Sequence, residues 1–140
     1  MKGRRLTQTI LLFYLVLTFC FTVLLRPERG NYQYELTPFW SYSAIEKRPY
    51  GGLFYAVVLN ILFFVPIGVL VFLLKKRFKL WECIIPGILI SCTIEISQFF
   101  LKRGLCETDD VIHNTLGYII GYCLCALFWY FKTDGRKVCD

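Results

Sequence analysis

Four polar side chains interrupt long apolar stretches of this sequence, and their chemistry makes them the first candidates for a functional site. They are the carboxyl group of Glu95 and the side-chain amides of Asn60, Gln98 and Asn114. Polar groups are costly inside a membrane, so those found there mark binding sites, proton relays or contacts between helices. A carboxylate in an apolar pocket can also act as a general acid or base.

Helical spacing groups these residues with others. Glu95 and Gln98 are three residues apart and share a helix face, which Lys102 continues. A second stripe of residues lies within about 60° on a helix, and its members are Asp110, Asn114, Gly117 and Gly121. The two glycines permit another helix to approach closely. Because the intervening loop is short, we expect the stripe to face the Glu95–Gln98 side of the preceding helix.

Composition explains which elements must carry these side chains. Of the 140 residues, 56% are hydrophobic and 19% are charged, whereas an ordinary soluble domain has about 25% charged residues. This balance excludes a plain soluble domain, a disordered tail and a disulfide-rich secreted module. Apolar blocks of about 20 residues are long enough to cross a bilayer as helices. Four such blocks are present, at 6–25, 53–74, 80–101 and 111–131.

The sequence therefore predicts a single all-α membrane domain over residues 1–140, built as a bundle of four transmembrane helices. Ten of the 16 Lys and Arg residues fall in the N-terminal segment, the second connection and the C-terminal segment. Because basic residues favour the cytoplasmic side, both termini are expected in the cytoplasm. The net charge of +6 is thus mainly topological, and nucleic-acid binding is not expected.

The predicted depths of the polar residues agree with one another. At 1.5 Å per residue, Glu95 lies about 9 Å and Gln98 about 5 Å below the outer end of their helix. Asn114 lies about 5 Å and Asn60 about 10 Å down their own helices. We therefore predict one polar cluster that opens outward. Its acidic and basic rim residues are Arg103, Glu107, Asp109 and Asp110.

Two interpretations of this cluster stay open. In the functional one, Glu95 and Asp110 are candidate catalytic residues, and the other six bind a ligand: Asn60, Gln98, Arg103, Glu107, Asp109 and Asn114. In the structural one, the amides hold helices together, and Glu95 is protonated or paired with Arg103 or Lys102.

The first outer loop, 26–52, is rich in aromatic residues. Tyr and Trp favour the membrane interface, so the loop is expected to form an aromatic belt on the membrane surface or a lid over the cluster. The segment 48–52 is expected to form the turn into the second span.

No metal or cofactor is expected from the sequence. The seven cysteines have no C-x-x-C spacing, and His113 has no ligand at a suitable distance along the chain. The cysteines are interpreted as small apolar packing residues.

Three ordered motifs carry a family resemblance. Residues 60–68 read N-x-x-x-F-x-P-x-G, residues 95–98 read E-x-x-Q, and residues 103–117 read R-x(5)-D-D-x-x-x-N-T-x-G. Leu36-Thr37-Pro38-Phe39 is similar to a fourth motif, although Glu35 stands where Asn is common. Over residues 30–125 the chain resembles the VanZ-like family of small bacterial membrane proteins.

The resemblance implies a multi-pass protein of the bacterial cytoplasmic membrane and an association with resistance to the glycopeptide teicoplanin. It implies no particular reaction. The first functional hypothesis is binding or modification of a lipid-linked cell-envelope molecule or a lipophilic glycopeptide in the outer leaflet. The second is a non-enzymatic accessory or regulatory subunit, which acts as a homo-oligomer or with a membrane partner.

Overall fold

The computed structural model describes residues 2–47 and 51–133. It contains five α-helices and two very short strands within those ranges. The first helix continues without a break into a π-helical turn, Cys20–Leu24. In chain order the elements are α1 (Lys2–Phe19), β1 (Tyr34–Glu35), α2 (Trp40–Lys47), α3 (Gly52–Lys75), α4 (Leu80–Phe100), β2 (Cys106–Glu107) and α5 (Thr108–Lys132).

Four helical segments are long and apolar enough to cross a membrane, which confirms the predicted all-α, multi-pass bundle. They are Lys2–Leu24, Gly52–Lys75, Leu80–Phe100 and Thr108–Lys132. Some helices are longer than the predicted apolar blocks, because polar residues next to a block form an extra turn at the helix end. The last helix, for example, begins at Thr108 instead of 111, because Asp109 and Asp110 in its first turn interact favourably with the helix dipole.

The closest helix crossing joins α5 to α3, so the predicted partner of the glycine stripe was wrong. A Cβ atom on Gly117 would stand 2.1 Å from the carbonyl oxygen of Ile61, and one on Gly121 would stand 2.0 Å from that of Val65. Gly68 of α3 reciprocates, because a Cβ there would stand 2.1 Å from the carbonyl oxygen of Tyr118. Small residues on both helices allow this approach, and sequence adjacency does not decide it.

Helix α4 packs on α5 through larger side chains. The ring of Tyr118 lies against Gly87, and the Tyr118 hydroxyl donates to the carbonyl oxygen of Glu82 at 2.9 Å. Tyr122 donates in the same way to the carbonyl oxygen of Arg77 at 3.0 Å. Both tyrosines are fully buried, and their hydroxyls are satisfied, as buried tyrosines require.

The connecting segments at one end of the bundle are tied together. Strand β1 pairs in parallel with β2, with Tyr34 opposite Cys106 and Glu35 opposite Glu107. The backbone N–H of Arg29 donates to the carbonyl oxygen of Lys102 at 2.9 Å. These bonds join the segment 25–47 to the segment 101–107. The residues 48–50 of the predicted turn lie outside the described residues.

Each end of the bundle contains a buried carboxylate, which we use to name it. The Asp110 end holds the segments 25–47 and 101–107. The Glu82 end holds the start of α1, the connection between α3 and α4, and the end of α5.

Candidate functional site

Asp110 is the centre of the polar contacts at the Asp110 end. It lies in the first turn of α5, and 7% of its surface is exposed. Its Oδ1 accepts a 2.6 Å hydrogen bond from the Asn60 amide of α3. Its Oδ2 lies 3.8 Å from a guanidinium nitrogen of Arg26. Asp110 therefore joins the end of the first span, the second span and the start of the fourth.

Glu95 is buried in α4, with 3% of its surface exposed. Its Oε2 accepts a 2.9 Å hydrogen bond from the backbone N–H of Glu107. Among the described residues no ion pair links Glu95 to Lys102 or Arg103. The Lys102 ammonium lies instead over the ring of Tyr32, 4.7 Å from its centroid. The pairing considered under the structural interpretation is therefore absent.

Glu107 adds a third carboxyl group beside those of Asp110 and Glu95. It immediately precedes α5, and its side chain is nearly buried. Burial raises the pKa of the Glu107 carboxyl to about 7, and the negative charge of Asp110 adds to this shift, while Arg26 opposes it. Glu107 can therefore exchange a proton near neutral pH, which suits a general acid or base.

Asp109 makes different contacts, because both its oxygens are used by the first loop. Oδ1 accepts from the backbone N–H of Phe39 at 2.5 Å. Oδ2 accepts from the backbone N–H and the hydroxyl of Ser41, at 2.9 Å and 2.5 Å. Phe39 has a φ of 63°, which is uncommon for a bulky residue. The Asp109 carboxylate thus fixes the start of α2 in place over α5.

The same loop makes further polar contacts with α5. The Thr108 hydroxyl donates to the carbonyl oxygen of Leu36 at 3.3 Å. The Tyr42 hydroxyl lies 3.0 Å from Nε2 of His113, and the two rings meet edge to face. The loop therefore covers the start of α5, as a lid would. Several of its aromatic rings nevertheless remain more than half exposed, as in an interfacial belt: Tyr32, Tyr34 and Phe39.

The three amides each join a different pair of spans. Asn60 bonds Asp110 across α3 and α5. Asn114 donates to the Ser91 hydroxyl of α4 at 2.9 Å. Gln98 donates to the carbonyl oxygen of Thr22, next to α1, at 2.8 Å. Its Oε1 is buried without a partner among the described residues. The amides therefore hold helices together and also fix the positions of the nearby carboxylates.

Arg26, and not Arg103, is the guanidinium beside Asp110. Arg103 donates instead to the backbone carbonyl oxygen of Leu24. Gly104, with a φ of 80°, makes room for Arg26: a Cβ there would stand 2.7 Å from its Cδ. Sequence reasoning missed Arg26, although its place directly after the first apolar block was a usable signal.

A cleft of about 360 Å³ lies beside Asp110, between the first and second spans. Its walls are mostly apolar and include Phe21, Leu59 and Phe63. Arg26 and Asn60, the two residues that contact Asp110, also line it. The cleft thus combines an apolar surface with one guanidinium group and one side-chain amide. Within residues 2–47 and 51–133, no three His, Cys, Asp or Glu side chains are arranged to hold a metal ion.

Comparisons with known proteins match most of the chain. The model of the VanZ/LLP1 family matches residues 11–129. The chain is 29% identical over 129 residues to Protein VanZ of Enterococcus faecium, and the match covers 89% of this chain and 76% of that protein. No solved structure matches this chain.

Proposed function

The chain belongs to the VanZ/LLP1 family, and from this premise we propose that its Asp110 end binds an amphiphilic molecule of the bacterial cell envelope. The molecule is a lipid-linked envelope component or a lipophilic glycopeptide of the teicoplanin type. The observation that carries the proposal is the cleft between the first and second spans, because its apolar walls lead to Arg26 and Asn60.

Each part of the cleft suits one part of such a ligand. Phe21, Leu59 and Phe63 offer apolar surface to an acyl chain at the depth of the membrane. The Arg26 guanidinium suits an anionic group such as phosphate or carboxylate, which it can bind with two parallel hydrogen bonds. Asn60 supplies a polar contact next to it. An amphiphile can therefore satisfy both surfaces at once.

The buried carboxyl groups supply acid–base chemistry beside the cleft. Glu95, Glu107 and Asp110 are all less than a tenth exposed, and the pKa of Glu107 lies near 7. A proton transfer to a bound ligand would fall to Glu95 or Asp110, the two candidate catalytic residues, or to Glu107. Gln98 and Asn114 hold the surrounding helices, and Asp109 holds the loop above.

The distribution of charge supports an outward-facing site in the cytoplasmic membrane. Among the described residues, the Glu82 end carries eight basic residues and one acidic residue, Glu82. The basic ones are Lys2, Arg4, Arg5, Lys75, Lys76, Arg77, Lys79 and Lys132. Basic residues near span ends favour the cytoplasmic side, which leaves the Asp110 end facing outward.

The test is a thermal-unfolding series on the purified full chain in detergent. The probes are a teicoplanin-type lipoglycopeptide, its deacylated core and a polyprenyl-phosphate-linked envelope precursor. A ligand present at 100 times its Kd stabilises the folded state by about 2.7 kcal/mol. We expect one of the two acylated probes to raise the unfolding midpoint of the wild type, and the deacylated core to have no effect.

Variants separate the site from general charge effects. Arg26→Gln and Glu95→Gln should lose the ligand-induced rise. Arg29→Gln is the matched control, because Arg29 is exposed and its guanidinium bonds only Gln33 among the described residues; it should respond as the wild type does. An equal rise in all four proteins, or no rise in the wild type, would contradict the proposal.

A second candidate function is a non-enzymatic accessory or regulatory subunit. It is favoured by the three amides, each of which joins a different pair of spans. It predicts that Glu95→Gln lowers the amount of folded protein in the membrane and that a membrane partner or a second copy copurifies. Normal membrane levels with a lost ligand response would argue against it.

A further inference from the structure

A second cavity lies at the opposite end of the bundle from the candidate site. It has a volume of about 330 Å³ and lies between the start of α1, the end of α3 and the end of α5. Its lining combines basic, hydroxyl, apolar and indole groups, from Arg4, Thr7, Leu73, Leu74, Lys76 and Trp129. None of these residues belongs to the Asp110 end, so the cavity is independent of the proposed function.

Within residues 2–47 and 51–133, the cationic groups at this cavity have no carboxylate partner. Lys76 ends α3 in a left-handed conformation, with a φ of 54°, and its ammonium lies 4.8 Å from the centroid of the Trp129 ring. The Lys132 ammonium lies 5.9 Å from the same centroid. Within the described part of the chain, neither ammonium nor the Arg4 guanidinium lies within 4.0 Å of a carboxylate.

The one acidic residue described at this end is already neutralised. A Glu82 carboxylate oxygen lies 3.7 Å from the Lys75 ammonium and 3.4 Å from the Arg77 guanidinium. Among the residues that the structure describes, the positive charge around the cavity therefore has no further carboxylate as a counter-charge. An anionic group from outside the chain would supply one.

The indole of Trp129 is a second group at this cavity that has no partner among the described residues, in addition to the cations. Its Nε1 is buried and has no hydrogen-bond acceptor among the described residues. A buried indole N–H normally finds an acceptor. Phosphate oxygens are acceptors only and carry negative charge, so one phosphate group can satisfy the indole N–H and both kinds of cation together.

We propose that this cavity binds the phosphate group of an anionic phospholipid. The Arg4 guanidinium and the Lys76 ammonium bind the phosphate oxygens, and the Trp129 N–H donates to one of them. The acyl chains follow the apolar surface that begins at Leu73 and Leu74. A lipid is favoured over a soluble phosphate because the cavity lies between spans, where basic pockets bind anionic head groups.

Lipid titration with native mass spectrometry of the full chain in detergent tests this assignment. The probes are phosphatidylglycerol, phosphatidylcholine and free glycerol 3-phosphate. Arg4→Gln/Lys76→Gln removes the two cavity cations, and Arg5→Gln/Lys79→Gln removes the same charge outside the cavity. Trp129→Phe keeps an aromatic ring in place but removes its N–H.

We expect the wild type to bind one phosphatidylglycerol at least tenfold more tightly than phosphatidylcholine. Arg4→Gln/Lys76→Gln should weaken this binding about tenfold or more and Trp129→Phe several-fold, while Arg5→Gln/Lys79→Gln stays within twofold of the wild type. An equal loss in both double variants would overturn the proposal in favour of diffuse attraction. Equal affinity for phosphatidylcholine, or saturation by glycerol 3-phosphate at the same concentration, would also overturn it.

Discussion

The two ends of the bundle both bury carboxylates, but they treat the charge differently. At the Glu82 end one buried carboxylate has two cations within 4 Å, Lys75 and Arg77. At the Asp110 end, Asp110 has a single guanidinium at 3.8 Å, that of Arg26, and two more carboxyl groups lie beside it on Glu95 and Glu107. At the Glu82 end one carboxylate is paired with two cations, whereas at the Asp110 end three carboxyl groups lie near a single guanidinium.

This difference separates a structural role from a functional one. Buried like charges repel one another and disfavour ionisation, so an uncompensated cluster of carboxyl groups lowers the stability of the fold. The charge of Glu82 is instead balanced by the two cations within 4 Å of it. The Asp110 end therefore carries an arrangement that stability alone does not explain, and the ligand binding that we propose would give it a reason.

The largest expected effect concerns the crossing of α3 and α5, on which both ends depend. Gly121→Ala would place a Cβ 2.0 Å from the Val65 carbonyl oxygen, so the two helices must move apart. Overpacking of this kind should lower the free energy of unfolding by about 3 kcal/mol. Unfolding in mixed micelles measures the loss, and both the ligand response and the lipid binding should weaken with it.

Gly52→Ala is the control for this change, because nothing lies within 4 Å of a Cβ at Gly52. It should unfold as the wild type does. If Gly121→Ala were equally harmless, the close crossing of α3 and α5 would not be needed to hold either end of the bundle in place.

The next effect concerns Asp109, whose two carboxylate oxygens both accept hydrogen bonds from the first loop. Asp109→Asn removes the charge that accepts bonds from Phe39 and Ser41. Hydrogen bonds to a charged group contribute about 1.5–3 kcal/mol each, so we expect a loss of about 2 kcal/mol. The loop should also detach, which faster trypsin cleavage after Lys47 would show.

Exposed Glu46 provides the matched control, since Glu46→Gln keeps the loop contacts. Unchanged stability and cleavage in Asp109→Asn would mean that Asp109 belongs with the uncompensated carboxyl groups and not with the loop anchors. Asp109 would then have to be grouped with Glu95, Glu107 and Asp110.

A smaller effect is the pH dependence that Glu107 contributes. Its carboxyl has a pKa of about 7 in the folded protein against an ordinary value of 4.5, so the folded state binds the proton more tightly. The resulting stability is complete below about pH 4.5 and is lost as the pH rises through 7. The unfolding midpoint should therefore fall across this window.

Glu107→Gln should flatten this part of the pH profile relative to the wild type. The measurement is the unfolding midpoint of each protein at a series of pH values from 4.5 to 8. A slope as steep in Glu107→Gln as in the wild type would assign the proton to another group and remove Glu107 from the acid–base set.

Much of the fold follows from the sequence, because long apolar blocks and positive loops are determined by the bilayer itself. The contact between Asn60 and Asp110 joins two residues that the sequence had assigned to one cluster. Three features of the structure could not be predicted from the sequence. The partner of Gly117 and Gly121 depends on a reciprocal glycine, Gly68, in a helix distant along the chain.

The other two features depend on loops. The position of Arg26 beside Asp110 depends on Gly104 leaving space for it, and no periodic pattern records that. The bonds from Asp109 to Phe39 and Ser41 join positions about 70 residues apart, through a segment whose composition resembles a plain aromatic belt. Hydropathy reports depth in the membrane, and it carries no information about which loop residue meets which helix end.

The most direct test compares the two neutralising substitutions Asp110→Asn and Glu82→Gln by thermal unfolding, with and without the acylated probe that stabilises the wild type. Asp110→Asn should keep or raise the unfolding midpoint and lose the ligand-induced rise. Glu82→Gln should lower the free energy of unfolding by about 1 kcal/mol and therefore lower the midpoint. It should keep the ligand-induced rise. If Asp110→Asn instead lowers the midpoint as much as Glu82→Gln and still responds to the ligand, the Asp110 cluster is structural and the central claim is wrong.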